Sequence, residues 1–113
     1  MTISTTAVFD ELGQAQLGTS ATIIFTVSSS QNWIAKDIIL CNTTSGDVTV
    51  SLYRVANGGT ASKANALVDT RTIPAYDLIQ IIGEKGMLVG VTMQGLCSVA
   101  DAITATISGV KFS

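Results

Sequence analysis

The stretch IAKDIILCNTTSGDVTVSLYRV, residues 34 to 55, decides the fold. Val48, Val50 and Leu52 alternate with Thr49, Ser51 and Tyr53, the period-two signature of a strand with one buried face. Upstream, residues 34–42 carry the continuous apolar run Ile38-Ile39-Leu40-Cys41. Such a run needs cover on both faces and belongs inside a sandwich or beneath a partner. Between the two segments, Thr43-Thr44-Ser45-Gly46-Asp47 offers side-chain oxygens for local backbone groups and a glycine for a positive φ, so the segments are expected to form an antiparallel hairpin.

Working outward, the same reading predicts short strands over 13–17, 21–27, 66–73, 78–82, 87–93 and 103–112, giving eight in all. Turn signals stand at Gly18-Thr19-Ser20, Pro74-Ala75-Tyr76-Asp77 and Gly83-Glu84-Lys85-Gly86, and Ala56 to Lys63 is a polar loop of small residues. β-Branched residues crowd every periodic segment, and Ser98-Val99-Ala100-Asp101 is the one place read as a single helical turn. The expectation is an all-β, single-domain antiparallel β-sandwich, jelly-roll-like or immunoglobulin-like, over residues 9–113, with residues 1–8 as an N-terminal arm.

Composition sets the chemical limits. Charged residues make up 12% of the 113 residues, against about 25% in an average soluble domain, while Thr and Ser number 15 and 11. The surface is therefore neutral and rich in hydroxyls. The net charge is −2 and the six Lys and Arg are scattered singly, which leaves no patch to neutralise a run of phosphates, so nucleic acid is not an expected partner. The start, MTISTTAVFDELG, lacks the basic and apolar regions of a secretory signal, and no apolar run is long enough to span a bilayer. The reading is a protein that stays where it is made, with no membrane partner. Cys41 and Cys97 then read as two buried free thiols, and the formal sequon Asn42-Thr43-Thr44 as turn chemistry.

Histidine is absent, which removes the commonest general base and the commonest transition-metal ligand. The eight carboxylates fall mostly at turns or strand ends, where a solvated charge is the ordinary role, and a glycosidase pair drawn from them would have no aromatic-rich cleft to hold a sugar. No Asp-x-Asp run suits calcium, and Gly58-Gly59 lacks the Gly-Lys-Ser/Thr of a phosphate loop. The expectation is no enzyme, no cofactor and no metal. Trp33 reads as an aromatic capping one end of the core, with a contact role as the alternative.

The succession Leu12-Gly13-Gln14-Ala15-Gln16-Leu17, Thr22-Ile23-Ile24-Phe25-Thr26-Val27, Ala35-Lys36-Asp37-Ile38 with Cys41-Asn42-Thr43, and Val48-Thr49-Val50-Ser51-Leu52-Tyr53 resembles a group of small β-sandwich virion structural proteins of tailed bacteriophages. The Gly58-Gly59-Thr60 loop and the closing Ala105-Thr106-Ile107-Ser108-Gly109-Val110 extend the likeness over most of the chain. Where that group has a Val-Pro-Ala-type turn after the second strand, this chain has Val27-Ser28-Ser29-Ser30-Gln31-Asn32.

The resemblance implies a non-enzymatic component synthesised in the host bacterial cytoplasm and residing in the virion. Capsid decoration, with a homotrimer seated on the major capsid protein, ranks first. A tail, collar or fibre accessory role ranks second, and a carbohydrate-binding module touching the host surface third. An interface would fall to Ile3, Val8, Phe9, Trp33, Tyr53 and Tyr76, and the carbohydrate reading asks for Trp33, Tyr53 and Tyr76 exposed on one face.

Overall fold

The computed structural model describes residues 7–28 and 31–112. Eight strands run in chain order: β1 (Ala7–Gln16), β2 (Thr22–Thr26), β3 (Asn32–Asn42), β4 (Val48–Val55), β5 (Ala66–Ile73), β6 (Leu78–Met87), β7 (Thr92–Cys97) and β8 (Ile103–Phe112). They form two four-stranded antiparallel sheets, ordered β1-β8-β3-β6 and β2-β7-β4-β5. The chain passes from one sheet to the other at every connection but one, the exception being β4 to β5. This is the jelly roll of the two sandwich types expected from sequence.

The core lies between the sheets. β3 contributes Trp33, Ala35, Ile38 and Leu40, β8 contributes Ile103, Ala105 and Ile107, and the facing sheet contributes Val48, Val50, Leu52 and Met93, all buried. Ile39 and Cys41, on the other face of β3, are half-buried. They are flanked by Thr106 and Thr104 of β8 and by Gln80 and Leu78 of β6. The apolar run 38–41 thus finds cover on both faces because β3 is an interior strand of its own sheet.

The expected hairpin between residues 34–42 and 48–55 does not form, since β3 and β4 lie in opposite sheets. The side chain of Asn42 explains the crossover. It is fully buried, its Nδ2 donates to the carbonyls of Gly46, Ile73 and Pro74 at 2.8, 2.9 and 3.2 Å, and its Oδ1 accepts from Thr44 N and Oγ1. These bonds fix the polar turn to the end of β5 and send the chain over the edge of the core instead of back along β3. An Asn held in this way is structural, in keeping with the turn reading of its sequon.

Three boundaries also move. β1 begins at Ala7, with Val8 paired to Lys111, so residues 7 and 8 of the expected arm belong to the sheet; residues 1–6, Ile3 among them, lie outside the described residues. β6 continues through Gly83-Glu84-Lys85-Gly86 as an irregular strand, with the register against β3 shifting between Ala35 and Asp37, and the turn falls instead at residues 88–91, where Gly90 has φ +83. The single helical turn is a 3-10 turn at Lys63–Asn65, where Asn65 Oδ1 accepts from Ser62 N at 3.0 Å, whereas residues 98–101 form a bend and turn.

Candidate interaction surfaces

The outer face of the β1-β8-β3-β6 sheet follows from its register. Across the four strands run the rows Gln16–Thr104–Cys41–Leu78, Gln14–Thr106–Ile39–Gln80, Glu11–Ser108–Asp37–Ile82 and Phe9–Val110–Ile34–Gly86. Hydroxyls and amides fill its middle, and Gln14 Nε2 donates to Thr106 Oγ1 at 3.2 Å while Gln80 Nε2 donates to Asp37 Oδ1 at 2.9 Å. Apolar side chains gather at the two ends of the face and on its β3–β6 side, where Ile39 and Ile82 stand.

At the Trp33 end of the sandwich, Phe9 is 67% exposed and Leu88 69% exposed. A cleft of about 530 Å³ opens there, floored by Trp33, Met87 and Val91 and rimmed by Ile34, Leu88 and Phe112. Arg54 reaches across it, donating from Nη1 to the carbonyl of Gly86 at 2.7 Å. Among the described residues no carboxylate lines the cleft, so two facing carboxyls of the glycosidase kind are not assembled from them there.

Of the six residues expected at an interface, Val8, Phe9 and Tyr76 are exposed. Trp33 and Tyr53 are buried, which leaves neither ring open for the contact expected of it. Trp33 packs against Phe25 with ring centroids 5.3 Å apart, lies 4.6 Å beneath the Lys111 ammonium, and donates from Nε1 to Gln31 Oε1 at 2.9 Å. Its large apolar area goes to the core and its polar edge is satisfied, as expected of a capping indole. Tyr53 is held in an interior strand between Ala66 and Gln94, and the Lys63–Asn65 turn packs back on β4. Tyr76 stands in the β5–β6 turn with φ +58, at the Asn42 end of the molecule. The three aromatics therefore do not share one exposed face.

Sequence reading passed over Ile82, 75% exposed, and Leu78, 50% exposed, both on the edge strand β6. The signal was present in the doublets of Leu78-Ile79-Gln80-Ile81-Ile82, which place apolar residues on both faces of a strand.

Three ion pairs form among the dispersed charges of the described residues. Lys36 meets Glu84 at 3.3 Å, Lys63 meets Asp69 at 3.0 Å and Lys111 meets Asp10 at 3.7 Å. The hydrogen bond from Lys63 holds the Asp69 carboxyl below its ordinary range, with Thr70 Oγ1 adding a second bond, and Asp69 in turn raises Lys63. Among the described residues no three His, Cys, Asp or Glu side chains gather to hold a metal ion, and no helix is long and apolar enough to cross a membrane. Cys41 and Cys97 are free thiols, but Cys41 is half-buried on the outer face rather than buried. Its strand phase points it away from the core that receives Leu40.

No protein-family model and no curated protein sequence matches the chain. Among solved structures, a chain from the structure of infectious bursal disease virus, Gx strain, superimposes with a TM-score of 0.50 at 11% sequence identity. The match covers 96% of this chain and 31% of that one, so this chain spans about a third of its neighbour's length. The likeness is one of fold.

Proposed function

We propose that this chain is a non-enzymatic structural component of a virion, a jelly-roll module that packs against a viral shell and against copies of itself. The observation that carries this reading is the strand order itself, two interlocked four-stranded sheets, an arrangement that recurs in capsid domains. The fold-level likeness to a chain of a virus structure supports it. So does the surface: with charged residues at 12% and a sheet face of Thr, Gln and Ser, docking desolvates few full charges.

Within that role, decoration of a bacteriophage capsid remains the first reading and a tail or collar position the second, both resting on the sequence resemblance. A glycan-binding role loses its motivating feature, because Trp33 and Tyr53 are buried. The decisive experiment is cosedimentation of the purified protein with phage heads lacking it, alongside isolated tails. Saturable binding to heads supports decoration, binding to tails moves the protein to the tail, and binding to neither overturns the virion reading.

A further inference from the structure

Every sheet edge offers unpaired backbone groups, and natural proteins blunt such edges with charges, prolines and bulges. β6 is protected along only half its length. Gly83 to Lys85 carries the irregularity and the charges, whereas Leu78-Ile79-Gln80-Ile81-Ile82 is a regular segment with neither charge nor proline.

The direction of its backbone groups follows from the ladder. Asn42 N donates to Asp77 O at 2.8 Å, which makes that pair hydrogen-bonded; by alternation Ile79 and Ile81, opposite Leu40 and Ile38, also turn their groups toward β3. Leu78, Gln80 and Ile82 therefore turn theirs to the open edge. The N–H of Leu78 is taken by Asp77 Oδ1 at 2.8 Å, leaving the Leu78 carbonyl and both groups of Gln80 and Ile82 for a partner strand.

We propose that Leu78–Ile82 of β6 is a self-recognition edge on which a second copy of this chain docks antiparallel, across a two-fold axis through Gln80. The segment is its own complement in this register. Gln80 meets Gln80, and Leu78 meets Ile82 twice, which joins the two most exposed apolar side chains of the strand on the outer face. Four backbone bonds form without disturbing any bond already made: Gln80 N–H to the partner's Gln80 carbonyl and Ile82 N–H to the partner's Leu78 carbonyl, each occurring twice by symmetry.

Charge fits the same register. Asp77 comes to face Gly83, and Glu84 faces Tyr76, so no like charges are opposed. Sliding the centre to Ile81 would bring Asp77 opposite Lys85 but would carry Leu78 onto Glu84, inside the irregularity that begins at Gly83, so only the Gln80 register keeps its pairs within the regular segment. A partner strand from another protein would lack this built-in match, which is why a second copy is the favoured occupant. A five-residue edge contact falls short of a standard interface of about 1,600 Å², so the free dimer is a weak one. A two-fold dimer also differs from the threefold assembly suggested by sequence.

The test uses purified full-length protein in sedimentation equilibrium and does not depend on the virion reading, whose own test is binding to heads. In a Cys41→Ser background, Gln80→Cys is expected to cross-link as a dimer on mild oxidation, because hydrogen-bonded partners lie about 5.5 Å apart, within disulfide reach. Gln80→Pro removes an outward N–H without costing an intrachain bond and should weaken dimerisation at least tenfold, whereas Gln80→Ala should change it less than threefold. Three outcomes would overturn the proposal: a monomer up to 1 mM, cross-linking through Ile82→Cys but not Gln80→Cys, or an oligomer indifferent to Gln80→Pro.

Discussion

A side chain at Gly109 would run into the carbonyl of Ile34: β8 and β3 approach so closely at the start of the Lys36 irregularity that only a hydrogen fits. The obstacle is the backbone of an interior strand, which cannot rotate aside. Gly109→Ala is expected to lower the unfolding free energy by about 3 kcal/mol, the upper range for overpacking. Gly46→Ala, with open space around its Cβ position, should cost far less. Urea melts of the two variants check the contrast.

Asn42 should be among the least replaceable polar residues. Asn42→Ala orphans three carbonyls and two donors at Thr44, an expected loss of roughly 3 kcal/mol. Asn42→Asp sets a carboxylate against those same carbonyls, so its folded-state pKa rises above the unfolded value near 4. The folded state then holds the proton more tightly, and the variant should gain stability relative to wild type as pH falls and lose it as pH rises above that value. Denaturation of both proteins at pH 4 and pH 7 reads the sign.

The two thiols should separate in a labelling experiment. Cys97 is buried, with Sγ 2.9 Å from the Val99 carbonyl, whereas Cys41 is partly open beside Leu78. One thiol per native chain is expected to react with a disulfide reagent, the second only in denaturant, with peptide mapping assigning the first to Cys41. Protection of both would contradict the outer-face placement.

Trp33 is the chain's single tryptophan and so reports on one end of the core. Its emission should be blue-shifted and poorly quenched by acrylamide. Phe25→Ala removes the ring packed at a tilt against it and is expected to red-shift the emission and cost about 3 kcal/mol.

The Lys63–Asp69 pair is exposed on both sides. Its contribution is present above the unfolded pKa of Asp69 and disappears as pH falls through the lowered folded value; at the basic end it disappears as pH rises through the raised value of Lys63. Solvent screens such pairs strongly, so Asp69→Asn should leave the unfolding midpoint at pH 7 unchanged. A clear drop would mean that the turn beneath Lys63 depends on the pair.

Periodicity in the sequence located most of the strands and the core-facing side of β4, since Val48, Val50 and Leu52 do face the core, but the strand expected over 87–93 straddles the turn at 88–91 between β6 and β7. It did not locate partners. A polar turn of five residues between two strands reads alike whether the chain folds back in one sheet or crosses to the other, and the difference here rests on Asn42 reaching Ile73, 31 residues away. β1 was truncated in the reading because Asp10 and Glu11 interrupt its apolar pattern; the register shift between Glu11 and Gly13 resets the phase of the strand at that point. The β6 edge was hidden for a related reason. Gly83 and Gly86 look like a turn, and only the ladder to β3 reveals which backbone groups are left open.

The placement of β1 beside β8 bears on synthesis as well as on stability. Among the described residues β1 has no other sheet neighbour, and β8 also supplies one flank of β3, so one of the two sheets waits for β8 to be made. A nascent chain can join β4 to β5 early, but its first strand has nothing to pair with until residues 103–112 have left the ribosome. Completion of the fold is thereby deferred until β8 has emerged, and chains cut short before β8 cannot close that sheet.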